Sequence, residues 1–124
     1  MSPNESDASL LWDTLRSARE VVAFTDGVSR EAYLEDLMRQ RAVERSIEIV
    51  GEAARGLSKP LRDAYPEIEW RPIMATRHIL AHDYATVSPS LVWRIAVVHV
   101  PALIPMLEAI LPDEPREDTR SATE

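Results

Sequence analysis

The sequence predicts an all-α protein, an antiparallel up-and-down bundle of about four main helices with short helices between them. Apolar residues recur at three- and four-residue spacing, most clearly at Val43, Ile47, Val50, Ala54 and Leu57. Serine, aspartate, glycine and proline gather between the periodic stretches, where helices start and stop. Strand-like alternation, internal repeats and glycine-rich phosphate loops do not occur, which leaves helix-on-helix packing as the architecture.

Residues 1–6 form a polar leader that should fray. Leu11, Leu15, Ala18 and Val22 mark a first helix over residues 7–24, stopped by Thr25, Asp26 and Gly27. Ser29 can cap a short second helix carrying Tyr33, Leu34 and Leu37, which should bend directly into the third. The third, residues 38–57, buries the Val43 to Leu57 stripe and sets Arg41, Arg45, Glu48, Glu52 and Arg55 on its other side. That polar stripe reads as a solvated face laced by weak ion pairs, or else as part of a cleft or subunit contact. Gly51 inside so strong a helix costs about 1 kcal/mol against alanine, which points to close approach of another backbone.

Ser58, Lys59 and Pro60 can restart a turn of helix as far as Ala64, and Tyr65 before Pro66 ends it, because a residue preceding proline disfavours the α region. Residues 72–84 follow as another helix, with Pro72 in the first turn and Ile73, Met74, Ile79 and Leu80 as its apolar frame. Trp70, just ahead of it, reads as an apolar anchor, with an aromatic platform for a base as the other possibility. Ser88 and Pro89 open a last long helix to Leu111 that Pro101 should kink. Residues 1–111 thus read as one domain. Residues 112–124, with seven charges and few apolar side chains, read as a disordered acidic tail.

The chain has no cysteine, which excludes disulfides and cysteine-ligated zinc. No apolar run is expected to approach the ~20 residues of a membrane span, and the acidic N-terminus lacks a basic leader, so a cytoplasmic location is expected. The net charge of −7 argues against a nucleic-acid partner until its distribution is considered. Residues 39–94 carry nine basic and seven acidic side chains, a local balance of +2, and thirteen of the fourteen basic residues are arginines. Forked phosphate pairing suits such a composition, although a general arginine bias would produce it too.

Two of the three histidines fall within residues 72–84, with an arginine and a tyrosine. On an ideal helix Arg77 and Tyr84 lie about 20° apart, while His78 and His82 form a row rotated by about 100 to 140°. Either the helix loosens near Asp83, or a second copy of the chain supplies the missing partner across a two-fold axis; a homodimer is the expectation. His82 titrates near neutrality and suits a general acid or base, whereas Arg77 stays charged and suits a phosphate and its transition state. The His78 and His82 spacing also fits metal ligands, but no third ligand is evident, and neither metal nor cofactor is expected. His99, alone on an apolar stretch, reads as a structural histidine.

The spacing Arg77, four residues, His82, one residue, Tyr84 resembles the Arg-x4-His-x-Tyr motif of the HEPN superfamily, and in particular its HepT-like ribonuclease toxins. The likeness extends through residues 49–54, 65–71, 80–84 and the Val92-Trp93 region, over roughly residues 8–111. His78 departs from the more usual asparagine of that family. The resemblance implies a HEPN-like bundle and a metal-independent endoribonuclease with Arg77 and His82 as catalytic residues, supported by Tyr84 and His78. It implies RNA cleavage by the 2′-hydroxyl, leaving a 2′,3′-cyclic phosphate and a 5′-hydroxyl. It also implies a toxin-antitoxin pair in which a minimal nucleotidyltransferase neutralises the toxin by transferring AMP from ATP onto Tyr84. A non-catalytic HEPN module binding a nucleotide or a partner protein would retain many of the same residues.

Overall fold

The computed structural model describes residues 4–82 and 87–111, with the side chains of residues 81 and 82 outside that description. Every regular element among the described residues is helical. Helix α1 spans Glu5–Thr25, α2 Arg30–Leu34, α3 Leu37–Gly56, α4 Lys59–Ala64 and α5 Trp70–His82. A final continuous helical stretch comprises α6 (Pro89–Arg94), a π turn (Ile95–His99) and α7 (Val100–Ile110).

Local signals set most of the boundaries. Asn4 accepts a hydrogen bond from the Asp7 backbone N–H at 2.7 Å and starts α1, and Gly27, at φ +70°, turns the chain after it. Ser29 caps α2 through the Ala32 N–H at 3.1 Å, and Ser58 caps α4 through that of Leu61 at 3.3 Å. The expected smooth bend from α2 into α3 does not occur. Asp36 caps a fresh helix by accepting from the Arg39 N–H at 3.0 Å, and Leu37, expected on α2, opens α3 at 60% exposure.

α3 is the spine. Val43, Ile47, Val50, Ala54 and Leu57 are all buried, as the periodicity requires. α1 packs along one side of it through Leu11, Leu15, Ala18 and Val21, so the contact row runs through Val21 and leaves Val22 half-buried. Contacts between Leu10 and Gly56, Glu20 and Ser46, and Phe24 and Arg39 fix the antiparallel sense of that pair. Asp7 is buried because its two carboxylate oxygens accept from the Ser58 N–H at 2.8 Å and the Ser58 hydroxyl at 2.6 Å, tying the start of α1 to the start of α4. α5 packs on another side of α3, and α7 packs on α1.

The last stretch explains its own irregularity. Proline 101 has no N–H and its ring crowds the carbonyl one turn earlier, so the backbone ahead of it widens and the Val100 N–H bonds to the Ile95 carbonyl, five residues back. Pro101 therefore produces a π turn at the place where a kink is expected. Pro89–Ile110, 22 residues with an 18-residue window of mean hydropathy 1.7, also reaches the length and composition of a membrane span, contrary to the expectation that no stretch would. Its row of Val92, Ala96, Val100, Leu103 and Leu107 is buried in the bundle core, a placement that a lone span does not require.

Candidate active site

Arg77 lies where α5 crosses α3. A Cβ added at Gly51 would stand 2.7 Å from Arg77 Cβ, 2.8 Å from the Ile73 carbonyl oxygen and 3.0 Å from the Arg77 nitrogen. The two helices are thus in backbone contact at that point, and glycine is what admits it. The suspicion raised by Gly51 is met at the motif arginine itself. Arg77 is half-buried, with the base of its side chain held by this crossing.

Trp70 fixes the other end of α5. It is buried at 7% exposure, and its indole N–H donates to the carbonyls of Arg62 and Tyr65, both at 3.1 Å. A ring so enclosed is an anchor, which closes the reading as a base platform. The Arg62 guanidinium reaches the Met74 sulfur at 3.5 Å, a further tie between α4 and α5. The apolar frame of α5 is narrower than expected: Leu80 is buried, Ile73 and Met74 are half-buried, and Ile79 is 39% exposed.

His78 follows Arg77 on the exposed side of α5. His82 is the last residue of the helix, and Asp83 and Tyr84 lie outside the described residues. Because α5 remains α-helical through His82, the five-residue step from Arg77 to His82 sets their Cα atoms about 140° apart around the axis. Of the polar face of α3, Arg41 pairs with Glu44 at 2.9 Å and Arg45 with Glu48 at 3.0 Å, with both arginine side chains more than 60% exposed. These are solvated i, i+3 pairs worth a few tenths of a kcal/mol.

His99 is exposed, in contrast to its expected structural role. It sits at the end of the π turn and lines a cavity of about 460 Å³ between α5 and the last helical stretch, together with Ile73 and Thr76 of α5 and Glu67 and Glu69 of the preceding loop. No sequence signal singled out that cavity, since it depends on two helices that share a bundle without packing closely on each other. Among the described residues no group of three or more His, Cys, Asp or Glu is placed to hold a metal ion.

These features define a class: a small helical bundle whose central helix crossing carries an arginine, with two histidines on the same helix. The chain belongs to the ribonuclease HepT-like family, whose family model matches residues 9–110. It is 30% identical over 119 residues to "Putative RNase MJ0127" of Methanocaldococcus jannaschii, covering 96% of this chain and 98% of that one. Over 98 residues it is 31% identical to "Probable ribonuclease HepT" of Thermococcus cleftensis, covering 79% and 89% of the two chains. "Putative RNase TTE0752" of Caldanaerobacter subterraneus is 30% identical over 100 residues, with coverage of 81% and 89%. No solved structure matches the chain.

Proposed function

We propose that the chain is a metal-independent endoribonuclease, the toxin of a toxin-antitoxin pair, with its active site in the cleft of a homodimer. Membership of the ribonuclease HepT-like family over residues 9–110 carries this reading. Arg77 binds the scissile phosphate and stabilises its developing charge, while His82 moves the proton of the attacking 2′-hydroxyl or of the leaving oxygen. Tyr84 and His78 support the site. The packing of the Arg77 backbone on Gly51 favours this assignment, because a phosphate-binding arginine gains from a fixed base. The regularity of α5 through His82 favours a site assembled from two copies, each supplying what the other's helix turns away. Residues 1–111 form the catalytic domain and residues 112–124 an acidic tail.

Regulation follows from Tyr84. A minimal nucleotidyltransferase partner transfers AMP from ATP to its hydroxyl, with pyrophosphate leaving and the phenol proton released, and the added phosphate occupies the place of the RNA phosphate beside Arg77. Unmodified protein should cut cellular RNA in EDTA, and Arg77→Ala or His82→Ala should reduce the rate by about two to four orders of magnitude. Equal cutting by wild type and both variants would remove this active site. A folded, unmodified and inactive wild type would favour a binding module instead.

A further inference from the structure

The cavity between α5 and the last helical stretch has the chemistry of a nucleobase site. α5 packs on α3 and α7 packs on α1, so a groove remains between α5 and α7 with Ile47 of α3 among its lining residues. Its volume of about 460 Å³ falls in the range of small-molecule sites. Half-buried apolar side chains such as Ile73, Ile95 and Met106 provide surfaces for the faces of a flat ring, and four polar side chains stand among them. The Thr76 hydroxyl donates to the Ile73 carbonyl at 2.6 Å, so its remaining capacity is as an acceptor. The π turn brings His99 to the cavity, and among the described residues the Glu69 carbonyl accepts from the Ile73 N–H at 3.3 Å while the carboxylates of Glu67 and Glu69, both on exposed residues, make no hydrogen bond or ion pair.

We propose that this groove binds one guanine base of the RNA substrate and sets the sequence preference of cleavage. The preference follows from the edge chemistry. Two carboxylates and a threonine acceptor require a ring that presents donors, and guanine alone carries an N1–H and an exocyclic amine side by side, matching the two oxygens of a carboxylate. Adenine and cytosine each set one exocyclic amine beside an acceptor nitrogen, and uracil sets one N–H between two carbonyls. His99 can donate to guanine O6 or N7. Single-stranded RNA offers unstacked bases for such a pocket. Thr76 immediately precedes Arg77 in the chain, about 100° from it around α5, and Arg77 does not line the groove, so a base held here would belong to a nucleotide flanking the phosphate that Arg77 would hold. This role in cleavage rests on the ribonuclease reading above.

Isothermal titration of the full chain with guanosine, adenosine, cytidine and uridine tests the pocket without depending on cleavage. Guanosine should bind at least tenfold tighter than the other three. Glu67→Gln and Glu69→Gln, surface changes that keep the shape, should together erase that difference, and Ala102→Trp should block the groove. Mapping the cut ends of a randomised RNA should show guanine at one fixed position for wild type and a broader distribution for the double glutamine variant. Cutting without base preference, and no guanosine binding, would overturn the pocket while leaving the ribonuclease standing. Guanosine binding without cutting would do the reverse. If Ala102→Trp turns a dimer into a monomer in sedimentation and guanosine does not bind wild type, the groove is a subunit contact and the inference fails.

Discussion

Gly51 and Tyr33 show how single atoms decide outcomes. Gly51→Ala gains up to about 1 kcal/mol of helix propensity, but its Cβ would meet Arg77 Cβ at 2.7 Å and the Ile73 carbonyl at 2.8 Å. Both belong to the helix that must move, so overpacking should prevail and thermal or urea unfolding should show a net loss of about 1 to 3 kcal/mol. RNA cleavage should fall with it, because Arg77 rides on the same contact. Tyr33 is inaccessible, and burial, assisted by the nearby Glu44 carboxylate, pushes its phenol up from 10.0 to about 12. The folded state therefore favours the neutral phenol, a contribution that is complete below pH 10 and is lost as pH rises towards 12, roughly 2 to 3 kcal/mol in all. Tyr33→Phe should flatten that alkaline loss in denaturation curves at pH 9 to 12 and change stability at pH 7 by under about 1 kcal/mol, since the hydroxyl has no partner among the described residues. The sequence exposed Gly51 through its cost within a strong helix. It gave no such sign for His99, because an isolated histidine on an apolar stretch has no register until the π turn sets one.

Some helix ends were legible from their chemistry, but the start of α1 was not: residues 1–6 read as a leader that should fray, whereas Asn4 caps a helix that begins at Glu5. The caps at Ser29 and Ser58 and the turn at Gly27 act through side-chain oxygens and a positive φ, both local properties. The break between α2 and α3 was hidden, because Asp36 resembles any acidic surface residue until its carboxylate meets the Arg39 N–H. That bond holds the Asp36 carboxyl below the usual carboxylate range, so the cap weakens as acid protonates it. The tie between Asp7 and Ser58 is long-range and could not be read from spacing. Asp7→Ala would leave the Ser58 N–H and hydroxyl without their partner at the α1–α4 contact. A destabilisation of about 1 to 3 kcal/mol in urea titrations is expected, whereas the solvated pair of Lys59 and Asp63 should be worth well under 1 kcal/mol when broken.

For the whole molecule, the bundle follows from helix periodicity, but the placement of the groups proposed to be active does not. α5 is regular as far as His82, and a five-residue separation sets Arg77 and His82 about 140° apart on one helix. One chain would have to turn a phosphate between two faces of its own helix, whereas the two-fold axis of the proposed homodimer would bring the arginine of one copy to the histidine of the other. Complementation separates these arrangements. Arg77→Ala and His82→Ala homodimers each lack one group at every shared site. Unfolded together and refolded as a mixture, half of the dimers carry one of each chain, and each of these holds one intact site and one doubly damaged site. The mixture should recover about a quarter of the wild-type cleavage rate. Sites built within single chains would recover nothing, because no chain in the mixture holds both groups. Recovery that declines as the protein is diluted would further tie activity to the dimer, since dissociation separates the arginine from its histidine.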